Sequence, residues 1–147
     1  MQRIGQSITE QEALAVIYKN LRMGTDGIID LLPYVREQTL RSAMTLQLDG
    51  YEKYAATVRV LLEECGALPK EAMGERLAAK MGAAWRGMLG ITQSELAAIL
   101  IEGSNACVTE MTRLCNHLEA PCGECTRLAR ELIELETHHV EALKAYL

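Results

Sequence analysis

Apolar residues recur at alternating intervals of three and four along most of the chain, the spacing of one face of an α-helix. Ser7, followed three residues on by Glu10, reads as a capping box. After it Leu14, Ile17, Leu21, Gly24, Ile28 and Leu31 hold one stripe, which predicts a helix over 9–32. Gly24 and Gly27 each cost such a helix about 1 kcal/mol against Ala, yet the stripe keeps its phase across them. Pro33 disfavours helical geometry at Leu32 and suits a first helical turn. The chain is therefore expected to reverse there and lay the next helix antiparallel to the first. That helix, over 34–64, carries the clearest seam: Leu40, Met44, Gln47, Tyr51, Tyr54, Val58, Leu61 and Cys65, ending near Gly66.

Pro69 opens a looser segment over 70–88 with Met73, Leu77, Met81, Ala84, Trp85 and Met88 on one side. Thr92 or Ser94 then caps a further helix whose stripe is Leu96, Leu100, Gly103, Cys107, Met111, Leu114 and Leu118. Pro121 closes it and opens the last helix. There Leu128, Leu132, Leu135, His139, Ala142 and Tyr146 form one seam, and Ala129, Ile133, Glu136, Val140, Leu143 and Leu147 a second beside it. No segment alternates with the period of two that marks a strand. The expected fold is all-α: one domain over 1–147, an up-down four-helix bundle with an extra shorter helix over 70–88. If that piece crosses the bundle, the helices on either side of it run parallel; if it folds back, the bundle gains a fifth member.

Composition narrows the class further. With 147 residues, 49% hydrophobic and 24% charged, the chain is long and apolar enough to bury a core. A net charge of −5 without any basic run speaks against nucleic acid as a partner. The longest apolar run, 96–101, is far short of a membrane span, and 1–12 lacks the apolar core of a secretory signal, so a cytoplasmic protein with no membrane partner is expected. Five cysteines, an odd number, suggest reduced thiols rather than a disulfide framework.

Several local patterns stand out along the chain: Met23-Gly24-x-Asp26, Leu32-Pro33, Gly66-x-x-Pro69-Lys70, Gly103-Ser104-Asn105, Leu128-Ala129 and the ending Leu143-Lys144-Ala145-Tyr146-Leu147. Through them nearly the whole chain resembles a small bacterial family placed with the ferritin-like four-helix bundles. The resemblance implies that fold, with the 70–88 segment as its crossover, and carries over no activity, because the shared motifs are turns and packing positions.

Three groupings offer chemistry. Ferritin-like dinuclear centres use a Glu on each of two helices and a Glu-x-x-His pair on each of the other two. Glu136 and His139 supply one such pair, with Glu52 and Glu102 or Glu110 as the single carboxylates for iron or manganese. The second pair is missing, since no histidine precedes His117. Cys115, His117, Cys122 and Cys125 offer four zinc ligands within eleven residues, although Cys115 and His117 meet one ion only if the helix frays after Leu114. Cys122 and Cys125 alternatively form a Cys-x-x-Cys redox pair at a helix N-terminus, where the dipole favours a thiolate. Cys65 and Cys107 read as seam residues. Gly103-Ser104-Asn105 and Gly24 read as close-packing positions, or as the edge of an apolar cavity lined by Tyr51, Tyr54, Met81, Trp85 and Met111.

The sequence is therefore read as a non-enzymatic binding or scaffolding bundle, a homodimer by the general prevalence of symmetric oligomers, with no cofactor required. The alternatives are an iron- or manganese-dependent oxidoreductase or storage protein, and a thiol redox or zinc module at the Cys122–Cys125 turn.

Overall fold

Thr9, not Ser7, starts the first helix in the computed structural model, which describes residues 7–67, 90–119 and 123–147. The backbone N–H of Ile8 donates to the His117 carbonyl at 2.7 Å and the Ile8 carbonyl accepts from the Glu119 N–H at 3.0 Å. This short bridge keeps the chain extended through Ser7 and Ile8. Helix α1 (Glu10–Leu31) begins after it, with Thr9 and Glu12 capping each other in the place expected of Ser7 and Glu10. Pro33 sits in a 3-10 turn, Leu32–Tyr34, and an extended stretch leads into α2 (Gln38–Glu64). Thr92 and Glu95 form a second capping box at the start of α3 (Gln93–His117), and α4 (Glu124–Leu143) ends in another 3-10 turn, Lys144–Tyr146. The expected helix over 70–88 lies outside the described residues.

The fold is all-α, and among the described residues four helices pack as a bundle. Side-chain pairs fix the direction of each helix. The Oε1 of Gln93 accepts from the backbone N–H groups of Arg36 and Glu37, across 57 and 56 positions, and Gln47 bonds Ser104 across 57. A constant offset means that α2 and α3 run parallel. By contrast, as α2 advances from Tyr51 to Tyr54, its partner on α4 retreats from Glu136 to Glu131, so those two are antiparallel. Ile8 beside Leu118 and Asn20 beside Glu110 make α1 and α3 antiparallel as well. Ala67 therefore leaves α2 at one end of the bundle and Gly90 enters α3 at the other. Among the described residues no helix is long and apolar enough to cross a membrane.

Leu14, Ile17, Leu21, Ile28 and Leu31 of α1 are all buried, as their stripe requires. The α2 seam holds from Leu40 through Val58 and then shifts: Leu62 is buried, Leu61 is half-buried and Cys65 is exposed. A strict seven-residue seam drifts by about 20° per heptad on a straight helix of 3.6 residues per turn, so its last members rotate off the core. The same drift buries Leu143 in α4 and leaves Ala142 exposed.

Candidate functional site

Glu136 sits in the middle of α4 among Ala129, Leu132 and Leu143, all buried, where an unpartnered carboxylate would be costly. Its partners come from three helices and converge on one oxygen. The Tyr51 hydroxyl of α2 donates to Oε1 at 2.6 Å and the Ser104 hydroxyl of α3 donates to it at 3.1 Å. One turn along α4, His139 Nδ1 lies 3.0 Å from the same oxygen. Behind them the Gln47 amide donates to Tyr51 Oη at 2.8 Å and to Ser104 Oγ at 3.3 Å. Gln47, Tyr51, Ser104 and Glu136 are each no more than 3% exposed, and the His139 ring meets Tyr51 edge-on, 5.7 Å between centroids.

The electrostatics follow from burial. Desolvation pushes the Tyr51 phenol well above its usual range and the adjacent Glu136 charge pushes it further, so Tyr51 stays a donor. Burial and then the same carboxylate also raise the Cys107 thiol far out of its usual range, which leaves it protonated and a poor nucleophile.

Next to this network is a cavity of about 160 Å³ lined by Gln47, Tyr51, Ser104, Cys107 and Glu136. Ile28, Leu31, Ile99 and Leu100 add an aliphatic lining. Its rim includes Gly103 and Ala106, both exposed, and no atom lies within 4 Å of where a Gly103 Cβ would stand.

The expected Glu136 and His139 pair is thus brought together, and the other expected metal ligands are not. Glu52 follows the buried Tyr51 by one residue, about 100° around the helix, and is exposed. Glu102 precedes Ser104 by two and is exposed too, while Glu110 accepts a 2.7 Å bond from Asn20. Among the described residues no three His, Cys, Asp or Glu side chains form a group able to hold a metal ion.

At the α3–α4 turn, α3 stays helical to His117, which keeps Cys115 and His117 about 200° apart. Cys122 lies outside the described residues. Cys125 is buried and its thiol donates to the Glu10 carbonyl at 3.4 Å. Burial, then the Glu10 charge, pushes that thiol up to about 12, so the thiolate expected from the helix N-terminus does not form: desolvation outweighs the dipole. Cys65, Cys107, Cys115 and Cys125 are free.

Of the residues expected around an apolar cavity, Tyr51 lines it. Met111 is instead plain core, Tyr54 donates to Glu131 at 3.0 Å on the half-exposed side, and Met81 and Trp85 lie outside the described residues. Helical spacing alone marks Cys107 as packing and does not identify Gln47 and Ser104 as polar partners. Gln47 carried a visible signal, an amide inside an otherwise apolar seam.

Compared with models of known protein families, with curated proteins and with solved structures, the chain finds no match in any of the three.

Proposed function

We propose that the chain is a non-enzymatic binding protein, a bundle of ferritin-like helix order, whose ligand site is the cavity beside Glu136. The observation that carries this reading is a half-open cavity of about 160 Å³ lined by a buried, three-helix carboxylate network and by aliphatic side chains. Ligand pockets combine an apolar lining with a few fixed polar groups in this way. A dry engineered cavity of about 150 Å³ accepts benzene, so the available space suits one molecule of that size. Binding is favoured over turnover because the Tyr51 phenol and the Cys107 thiol beside the cavity are both pushed by burial toward their protonated forms. The parallel α2 and α3 support the ferritin-like order.

Toluene is a suitable neutral probe, followed through backbone amide NMR shifts. In the wild-type protein, shifts are expected to cluster at Gly24, Ile28, Gly103 and Cys107. In Gly103→Leu, whose side chain grows into the open space, they are expected to disappear while the helical circular dichroism is kept. Shifts scattered over the surface, or none at these residues, would remove the cavity as a ligand site.

A further inference from the structure

The hydrogen-bond inventory of the cavity wall is one-sided. Tyr51 and Ser104 each own one O–H, and both are given to Glu136. Gln47 owns two N–H donors, given to Tyr51 Oη and Ser104 Oγ. Its orientation is forced: turned over, its carbonyl would face two hydroxyls whose protons are already directed at Glu136. Asn20, also on the lining, gives its two N–H donors to the Val16 carbonyl at 3.0 Å and to Glu110 at 2.7 Å. The contact of His139 Nδ1 is likewise with Glu136 Oε1. The Cys107 thiol, a weak donor, is directed at Glu136 as well, so no strong donor remains among the described lining side chains.

Acceptors are in surplus. The two hydroxyl contacts and the His139 contact to Glu136 all fall on Oε1, and the Cys107 thiol adds only a weak one, which among the described residues leaves the carboxylate capacity for a strong donor. No Lys or Arg side chain is among the described lining residues. Among them an anionic guest would find neither a strong donor nor an opposite charge. An ammonium group, three donors and no acceptor, matches what is left, and a carboxylate in low-dielectric surroundings attracts it far more strongly than in water. A metal ion is a poorer match, since no group of three ligating side chains forms among the described residues.

Resting on the cavity as the ligand site, we infer that its ligand class is a small primary amine bound as the ammonium ion, with a compact hydrocarbon body. The charged end meets the Glu136 wall and the body packs on Ile28, Leu31, Ile99 and Leu100. The space limits the guest to about the bulk of a substituted benzene.

The test compares benzylammonium, benzoate and toluene, three probes of one shape, by calorimetry and by amide shifts on the full chain. Benzylammonium is expected to bind at least about tenfold more tightly than benzoate. In Glu136→Gln that preference is expected to fall below about threefold, while toluene still shifts the lining amides. Should Glu136→Gln fail to fold, the wild-type series decides alone. Equal or tighter binding of benzoate overturns the amine inference, as does an amine preference that survives in Glu136→Gln. If toluene binds without any amine preference, the amine inference fails and the cavity stands. If none of the three binds, both fall.

Discussion

Gly24 shows how tightly the buried network is walled in. A Cβ there would stand 2.7 Å from Tyr51 Cε2, and the ring cannot retreat because His139 lies edge-on against it. Gly24→Ala gains about 1 kcal/mol of helix propensity but forces an overpacking cost of about 1–3 kcal/mol, so a net loss is expected in urea denaturation. Gly103→Ala meets nothing within 4 Å and should gain close to the full propensity term of about 1 kcal/mol. The opposite signs at two helical glycines check both the close approach and the open space. Tyr51→Phe keeps the packing and removes the hydroxyl, leaving a Gln47 N–H without its acceptor and Glu136 without one donor. Its expected cost is about 1–3 kcal/mol, whereas loss of an exposed hydroxyl costs a few tenths of that. An unchanged midpoint for Tyr51→Phe would mean that the network is replaced by water.

Helix starts in this chain are set by tertiary pairing as much as by caps. Ser7 with Glu10 and Thr9 with Glu12 carry equally good capping-box spacing, and the choice falls to Thr9 because Ile8 is drawn into backbone pairing with His117 and Glu119. Such long-range pairing leaves no mark in a local pattern. The helices themselves, the burial of the α1 stripe and the break at Pro33 are local, and the spacing of apolar residues sufficed for them. Site residues were legible in proportion to how far they depart from their stripe. Glu136 and His139 stand out as charged and polar positions on an apolar face. Ser104 fits the α3 stripe as well as Gly103 does, four after Leu100 and three before Cys107, and its small polar side chain masked it. At the α3 start, Thr92 accepts from the Glu95 N–H, and the Glu95 carboxyl, bonded in return by the Thr92 backbone and hydroxyl, is held below its usual range. Thr92→Ala is expected to cost about 1 kcal/mol at neutral pH. A carboxyl depressed in the folded state contributes stability above its unfolded pKa and loses it as pH falls through the folded one. The stability difference between wild type and Glu95→Gln should therefore be present at pH 7 and close on acidification. A gap that stays constant with pH would place the Glu95 effect outside the cap.

Helix direction ties the site to the whole molecule. Gln47 and Ser104 lie at one level only because α2 and α3 advance together, and both must meet the middle of α4, where Glu136 sits, for the carboxylate to be buried at all. A plain up-down order, with α3 reversed against α2, would carry Ser104 to Glu136 only by lifting Gln93 off the Arg36 and Glu37 backbone. The two orders differ in a measurable distance. Spin labels on non-native amino acids, which leave the five cysteines undisturbed, can be placed at the exposed Arg36, Glu64 and Ser94. In the parallel order the 36/94 pair is separated by little more than a helix–helix spacing of ~10 Å plus the label arms. The 64/94 pair then spans the length of α2, whose 27 residues rise ~40 Å. Reversal of α3 would exchange the two values. Pulsed electron–electron resonance on the three pairwise combinations should give a short 36/94 distance and long distances for 64/94 and 36/64. A short 64/94 distance would dismantle the bundle order, and with it the level at which the cavity and its carboxylate meet.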